Sequence, residues 1–275
     1  MIVIHNESCL RCGKCSKVCP AGVLTQNEKG EDISINNIDF CIVCGHCVDV
    51  CPTASVVHSE FPQERIHPID YSLFPTPEQV MTLIKTRRSN RALISTPIPD
   101  DVLEKIVESA RFAPTASNKR DVSFTLITDP EKLLKISEFT INKFESSVKI
   151  LINPLIKCLL KPFFPHLYNY IPAFYRLKKE HLNGNDPILR KATALLIIHT
   201  PKSSDFGCEN ANLAYQNASL MAYSLGVSQI YMGFVLKAIR KSGREAFAQI
   251  TGVDGEVQAI MALGIPAFRY TNYIE

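Results

Sequence analysis

Cysteine is the residue type whose spacing carries the clearest chemical signal in this sequence. The chain of 275 residues contains ten cysteines, and eight of them lie within the first 51 residues. These eight form two runs with one pattern, Cys-x2-Cys-x2-Cys-x3-Cys-Pro, at Cys9–Pro20 and Cys41–Pro52. Clustered thiols in a reducing compartment are more often metal ligands or catalytic groups than disulfide partners. The repeat therefore predicts a module in which thiolates hold metal centres.

The spacing resembles that of bacterial ferredoxins, which hold two 4Fe-4S clusters. Three closely spaced cysteines wrap one face of a cubane, and the fourth, held by a turn at proline, reaches the other cubane. We therefore expect crossed ligand sets: Cys9, Cys12, Cys15 and Cys51 for one cluster, and Cys41, Cys44, Cys47 and Cys19 for the other. Zinc sites, which usually pair two Cys-x2-Cys knuckles, and disulfides are the alternatives.

Charge is distributed unevenly along the chain. The overall balance of 30 Lys and Arg against 27 Asp and Glu is too even to indicate nucleic-acid binding. Residues 1–60 carry four basic and seven acidic side chains, whereas the rest of the chain carries 26 and 20. The amino terminus has no signal-peptide pattern, and no run reaches the ~18 apolar residues of a membrane span. We expect a soluble, cytoplasmic protein with an acidic module and a basic one.

Prolines mark a connector after the cysteine module. Pro62, Pro68 and Pro75 fall in a stretch with little apolar periodicity, which is typical of a semi-rigid linker. We therefore expect a cysteine domain at residues 1–60, a linker at 61–76 and a larger domain at 77–275.

The larger domain contains patterns of both helices and strands. Thr76 and Gln79 predict a capping box for a helix that starts at Pro77. Apolar periodicity predicts the other helices, and alternating or continuous apolar runs predict strands. The helices are expected at 99–112, 210–225 and 236–250, and the strands at 122–127, 194–198 and 257–263. This order indicates an α+β fold.

Four short motifs stand along the larger domain. They are Arg87-Arg88-Ser89-x-Arg91, Ala113-Pro114-Thr115-Ala116-Ser117-Asn118, Ser224-Leu225-Gly226-Val227 leading into Tyr231-Met232-Gly233, and Leu263-Gly264-Ile265-Pro266-Ala267. In this order they resemble the nitroreductase family of FMN enzymes. With the cysteine repeat in front, the chain resembles ferredoxin–nitroreductase fusions of anaerobic bacteria. The resemblance implies a nitroreductase-like sheet-and-helix domain that binds FMN, preceded by a small ferredoxin-like domain.

The resemblance also implies which residues contact FMN. Guanidinium groups suit a phosphate dianion, so Arg87, Ser89 and Arg91 are expected at the phosphate and ribityl chain. Asn118 of the neighbouring subunit would address the isoalloxazine edge, and backbone N–H groups at 231–234 would face flavin N5. The full expected set is Arg87, Arg88, Ser89, Arg91, Pro114, Thr115, Asn118, Tyr231, Met232, Gly233, Phe234 and Arg269.

Two features depart from the family pattern or stand outside it. Arg120 and Asp121 occupy positions where the family usually has glutamine and proline. One hypothesis is that Arg120 places a cation where it stabilises reduced, anionic flavin. Cys158 and Cys208 have no partner at ligand spacing, and we expect them to be small buried apolar residues.

Residues 141–182 form an insert rich in apolar, aromatic and basic side chains. Pro154, Pro162, Pro165 and Pro172 exclude one long helix. By resemblance, the insert is expected to be a lid over the flavin pocket or a dimer contact, with a membrane-surface patch as the alternative.

The motifs together lead to an expected function. We expect a homodimer with FMN at its interface, in which two 4Fe-4S clusters pass electrons to FMN and FMN reduces a nitro compound or quinone. A ferredoxin or another donor would supply the electrons. The alternatives are a non-catalytic flavin-binding electron carrier and another flavin reaction on the same fold, such as enone reduction or reductive dehalogenation.

Overall fold

The computed structural model describes residues 1–274, which divide into two compact units. The first unit contains residues 1–75 together with 116–119, and the second contains the remaining residues. No helix in the described part of the chain is long and apolar enough to cross a bilayer.

The first unit is built from short, duplicated elements. Its secondary structure comprises β1 (Ile2–Ile4), α1 (Lys14–Lys17), β2 (Leu24–Thr25), β3 (Ser34–Ile35), α2 (His46–Asp49) and β4 (Val56–His58). Strand β1 pairs antiparallel with β4, and β2 pairs antiparallel with β3. Val23, Leu24 and Val56 form the centre of a small core against which most of the cysteines pack. Because this core is small, the cysteine loops supply much of the interior of the unit.

The second unit is a five-stranded antiparallel sheet between two helical layers. Its elements are α3 (Pro77–Thr86), β5 (Leu93–Ile94), α4 (Asp100–Arg111), β6 (Ser123–Ile127), α5 (Pro130–Ile152), α6 (Pro154–Leu160), α7 (Pro165–Tyr168), α8 (Ile171–Leu182), β7 (Ala194–Thr200), α9 (Gly207–Ser224), β8 (Ser228–Tyr231), α10 (Gly233–Arg240), α11 (Arg244–Thr251) and β9 (Glu256–Pro266). The long strand β9 pairs with β7 on one edge and with β8 and β5 on the other, and β6 completes the sheet beyond β7.

Strand β7 explains why both faces of the sheet are covered. Leu195 and Ile197 point into the core beneath α5, α10 and α11, and Leu196 and Ile198 point into the core beneath α4 and α9. A strand that is buried on both faces has a continuous apolar sequence, and this pattern predicted β7. The helix at Pro77 is also confirmed, with both hydrogen bonds of the Thr76–Gln79 capping box present.

The single helix predicted at 236–250 is wrong. The structure has α10 and α11 there, separated at Lys241–Gly243. Ser242 has a φ of 144°, and Gly243 lies against the ring of Phe139, where a larger side chain would clash. Apolar periodicity continues across the break because both helices bury the same face, so the pattern alone concealed it.

The insert contains several helices, as its prolines predict. Pro154, Pro165 and Pro172 each stand in the first turn of a new helix, where the missing N–H group costs little. The first residues of the insert belong to α5, which begins well upstream at Pro130.

Candidate functional site

The eight cysteines of the first unit line two small cavities. One is lined by Cys9, Cys12, Cys15 and Cys51, and the other by Cys41, Cys44, Cys47 and Cys19. In each, three cysteines come from one run and the fourth comes from the other run. All ten cysteines of the chain are free thiols, so none is held in a disulfide.

The loops around the two cavities have the same backbone shape. Arg11 and Val43, at equivalent positions, have φ angles of 51° and 53°, and Gly13 and Gly45 have 71° and 81°. Left-handed residues at these points turn successive N–H groups towards the concave side of the loop, where an anionic group is stabilised. For the β-branched Val43 this conformation costs roughly 1–2 kcal/mol, so the surrounding loop must enforce it.

Backbone donors already reach the cysteine sulfurs. The N–H of Val23 donates to Cys19 Sγ at 3.3 Å, and the N–H of Ser55 donates to Cys51 Sγ at 3.2 Å, each from four residues downstream. Each cavity combines four thiols with a backbone N–H group that donates to one of them, which fits the thiolate ligands of an iron–sulfur cubane.

The thiols differ in how readily they lose a proton. Burial, followed by the neighbouring Cys44, raises the pKa of the Cys47 thiol to about 11. Burial also acts to raise the pKa of Cys51, but hydrogen bonds from the backbone around it outweigh that effect and lower the pKa. Because metal ligands bind as thiolates, assembly of a cluster in these cavities must release protons.

One polar side chain distinguishes the second cavity. His58 is only 4% exposed, and its Nε2 lies 3.6 Å from Cys41 Sγ. The N–H of Glu60 donates to His58 Nδ1 at 3.1 Å, which makes Nδ1 the acceptor of the ring and leaves the ring proton on Nε2. Burial lowers the pKa of His58, so the neutral ring donates its Nε2–H to the Cys41 sulfur. His58 was not predicted from the sequence because it lies outside both cysteine runs.

The cavity lined by Cys9, Cys12, Cys15 and Cys51 has hydroxyl groups where the other cavity has a histidine. Thr53 Oγ1 lies 3.8 Å from Cys51 Sγ and 2.7 Å from the Oγ of the fully buried Ser55. Ser55 in turn contacts Ser8 at 2.8 Å. The two halves of the repeat therefore present different polar groups to otherwise equivalent cysteines.

Asn118, expected at the flavin, lies in the first unit of the structure. Its Nδ2 donates to the carbonyls of Ile42 and Val43, at 3.0 and 2.7 Å, in the loop between Cys41 and Cys44. Ser117 and Asn118 both have a φ of 52°, a conformation that asparagine tolerates better than most residues. In this structure the amide stabilises the cysteine loop.

The second unit contains a cavity of about 520 Å³ beneath the insert. Tyr231 and Met232 at the end of β8, together with Gly233 and Phe234 at the start of α10, form one wall. Side chains of the insert, including its first residues in α5, form another wall: Phe144, Leu151, Leu167, Tyr170 and Phe174. The predicted flavin residues at 231–234 therefore lie together beneath the insert, which was expected to form a lid.

Four cations line this cavity, and none of the lining residues is acidic. They are Arg91, Arg190, Lys237 and Lys241. Burial, and then the positive charge of Arg91, lowers the pKa of Arg190. Lys237 Nζ lies 5.2 Å from the ring centroid of Tyr170, and so connects α10 to the insert. Apolar walls and positive potential fit a flat aromatic group that carries anionic charge, as FMN does.

Another cavity of the second unit, of about 460 Å³, contains two of the other predicted arginines. Arg88 and Arg269 line it together with Asn90, Ser224 and Gly226. Arg88 Nη2 also donates to the carbonyl of Ile274 at 3.2 Å. Arg91 therefore lies in one cavity, and Arg88 and Arg269 lie in the other. Arg87, Ser89, Pro114 and Thr115 line neither cavity.

Asn90, the x position of the motif Arg87-Arg88-Ser89-x-Arg91, has a structural role. Asn90 is buried, its Nδ2 donates to the Phe268 carbonyl at 2.6 Å, and its Oδ1 accepts from the N–H of Ala92 at 3.0 Å. Its own carbonyl accepts from Ser228 Oγ at 2.8 Å. Asn90 therefore fixes the motif to β8 and to the segment after β9, so that the arginines on either side are held in place.

The expectation that Cys158 and Cys208 are buried is wrong. Both are exposed, Cys158 on α6 of the insert and Cys208 in the first turn of α9. Neither helix position is covered by a neighbouring element, which sequence periodicity did not reveal.

Comparisons with known proteins agree with both units. The Nitroreductase family profile matches residues 84–265, and that of the 4Fe-4S dicluster domain matches residues 1–52. A protein of Archaeoglobus fulgidus, named as an NADH dehydrogenase/NAD(P)H nitroreductase, is 39% identical over 61 residues, which is 22% of this chain and 35% of that protein. The chain therefore spans only about a third of this relative.

Solved structures share the fold of the second unit. An FMN-bound nitroreductase of Bacteroides fragilis has a TM-score of 0.52 at 20% identity, with 72% of this chain and 95% of that chain covered. A BluB-like flavoprotein of Clostridium difficile has a TM-score of 0.54 at 17% identity, with 71% and 94% covered. An FMN-bound nitroreductase of Desulfitobacterium hafniense has a TM-score of 0.53 at 15% identity, with 71% and 93% covered. The family match over residues 84–265 and the dicluster match before it establish that this chain belongs to the nitroreductase family and carries an amino-terminal 4Fe-4S dicluster domain.

Proposed function

We propose that this oxidoreductase binds two 4Fe-4S clusters and one FMN per chain, and uses the clusters to deliver electrons to the flavin for reduction of a nitro compound or quinone. The observation that carries the proposal is the crossed lining of the two cysteine cavities on a chain whose other unit is a nitroreductase domain. When bound, the clusters supply single-electron transfer and FMN supplies exchange of one or two electrons.

The protein's part in this chemistry is to hold, orient and shield the groups. Backbone N–H groups of Val23 and Ser55, with the Nε2–H of His58, stabilise charge on the cysteine sulfurs. In the second unit, Arg91 and Arg190 supply positive potential in the larger cavity, and the first residues of α10 line it. Phe144, Tyr170 and Phe174 exclude water from the same space. No side chain needs to act as a nucleophile.

Tethering supports the proposed electron path. The acidic first 60 residues and the basic remainder have opposite charge and belong to one chain. A tether raises the effective concentration of one module at the other to about the millimolar range, so that each chain carries its own electron source.

We also propose a homodimer in which the neighbouring subunit completes the flavin site. Val80, Met81 and Ile84 lie exposed on α3, and Leu213 and Met221 lie exposed on α9. These two helices contact each other, so their apolar residues form an extensive exposed surface of the kind that interfaces cover. Light scattering on the purified holoprotein is expected to give twice the mass of the chain, and a monomer at micromolar concentration would contradict the dimer.

The test of the function combines composition with turnover. Anaerobic preparation should yield about eight irons and one FMN per chain, since two cubanes hold four irons each. The dithionite-reduced protein should then reduce nitroaromatics or quinones catalytically. Zinc in place of iron would overturn the proposed clusters. Full loading without turnover of any acceptor would indicate a non-catalytic electron carrier instead.

A further inference from the structure

One stretch of the insert combines basic and apolar side chains with no acidic ones. Residues 146–179 contain six Lys or Arg and no Asp or Glu, although the chain as a whole has 27 acidic residues in 275. The stretch covers the end of α5, then α6 and α7, and most of α8. Its local charge is therefore strongly positive in a protein whose overall charge is close to balanced.

Six large apolar side chains of this stretch are exposed, and we call them the apolar patch. They are Ile150, Ile152, Leu155, Leu159, Phe163 and Phe164, with exposures from 44% to 78%. Leu155 and Leu159 are one turn apart and so share a face of α6. Lys157 and Lys161 are also one turn apart, and they are exposed on a different face of that helix.

The apolar patch is separate from the lining of the large cavity. The cavity uses Leu151, Leu167 and Tyr170 of the same stretch, none of which belongs to the patch. The packing of the insert onto the second unit therefore leaves the patch uncovered within the described chain. Some other surface must cover it, or about six large side chains remain in contact with water.

We propose that the end of α5, α6 and the turn that follows it, residues 150–165, dock onto the surface of an anionic lipid bilayer. Charge complementarity selects this occupant, since a positive, acid-free surface with protruding leucine and phenylalanine is what binds at the interface of anionic lipids. A protein partner would need an acidic face around an apolar groove, whereas a bilayer supplies both features. The α6 helix has seven residues, so it lies on the bilayer and does not cross it. The inference goes beyond the proposed redox function and does not depend on it.

Vesicle binding by the holoprotein tests the proposal. We expect it to sediment with vesicles of phosphatidylcholine mixed with phosphatidylglycerol, and to stay in solution with phosphatidylcholine alone. Each lysine near an anionic surface contributes about 1 kcal/mol, so the double variant Lys157→Gln/Lys161→Gln should bind roughly 25-fold more weakly. The matched control, Lys132→Gln/Lys135→Gln on the exposed part of α5, removes the same charge outside the stretch and should bind as the wild type does.

A fluorescence probe reports on the patch itself. The chain has no tryptophan, so Phe163→Trp introduces a single reporter at a position that is 78% exposed. Its emission should shift to shorter wavelength when anionic vesicles are added, whereas Leu134→Trp, at an exposed position on α5, should show no shift. Absence of vesicle binding, equal binding of both vesicle types, or an unshifted Phe163→Trp emission would overturn the proposal. Loss of self-association in Leu155→Gln/Leu159→Gln, without any vesicle binding by the wild type, would overturn it too, because the patch would then be covered by a second copy of the chain.

Discussion

The contact of His58 with Cys41 leads to a measurable difference between the two proposed clusters. The Nε2–H of His58 donates to a sulfur that takes on more negative charge when its cluster is reduced. The hydrogen bond is therefore stronger in the reduced state than in the oxidised one. Replacing His58 by leucine removes the donor while keeping an apolar side chain of similar size beside Phe61, whose ring centroid lies 5.1 Å from that of His58.

The expected magnitude follows from the geometry. A hydrogen bond to a charged group contributes about 1.5–3 kcal/mol, and the long 3.6 Å contact to sulfur places this one at the weak end. If about 0.5–1 kcal/mol of it arises only on reduction, the reduction equilibrium changes about two- to fivefold. For one electron this corresponds to a potential about 20–40 mV more negative in His58→Leu.

The assay is an anaerobic redox titration followed by electron paramagnetic resonance of the reduced clusters. One cluster should shift to lower potential, and the other, which has Thr53 and Ser55 beside its cysteines, should keep its potential. His5→Leu, the same substitution at an exposed position of the first unit, serves as the control and should shift neither. Equal shifts of both clusters, or a shift of the same size in the control, would refute the reasoning.

Three further predictions concern the second unit. Asn90→Ala breaks two buried hydrogen bonds of the Asn90 side chain and should lower the free energy of unfolding of the second unit by about 2–3 kcal/mol. Calorimetry should show this as a lower Tm. An unchanged Tm would show that Asn90 does not hold the arginine motif. Arg91→Leu should weaken the binding of FMN to the flavin-free protein about tenfold or more, measured by fluorescence titration. The control Arg111→Leu, at the exposed end of α4, should bind FMN as the wild type does. Equal affinities of the two variants would contradict the placement of flavin in the larger cavity. Hydrogen bonds from Lys178 and Lys149 lower the pKa of Glu145, so the contribution of the Lys178–Glu145 ion pair to the attachment of α8 to α5 should persist above the ordinary glutamate pKa and be lost as pH falls through the lowered value. Hydrogen exchange of α8 should increase over that range in the wild type and already be fast at neutral pH in Glu145→Gln, and identical exchange in both proteins would refute the role of the ion pair.

Local patterns predicted several elements of the second unit. The capping box at Thr76, the alternation along β6 and the continuous apolar run of β7 depend on neighbouring residues, and each is found where it was predicted. The cysteine repeat likewise predicted the two groups of four cysteines that line the two cavities, because its spacing resembles that of bacterial ferredoxins.

The features that were not predicted depend on contacts between residues that are far apart in the sequence. The break before α11 depends on Gly243 meeting Phe139, a residue about a hundred positions away. Arg190, Lys237 and Lys241 join Arg91 in one cavity only after the sheet and the insert have folded together. His58 likewise reaches Cys41 only through the pairing of β4 with β1. Arg190, Lys237, Lys241 and His58 belong to no sequence motif. The position of His58 in a strand shortly after the second cysteine run could nevertheless have suggested that it contacts a cysteine.

The central claim is that electrons pass from the clusters through FMN to the acceptor. Anaerobic reoxidation of dithionite-reduced protein tests this most directly, with cluster absorbance followed after a nitroaromatic compound or quinone is added. The account predicts rapid recovery of the cluster absorbance in the FMN-loaded protein and clusters that stay reduced in protein stripped of FMN. Equal recovery with and without FMN, or clusters that remain reduced in the loaded protein, would contradict it.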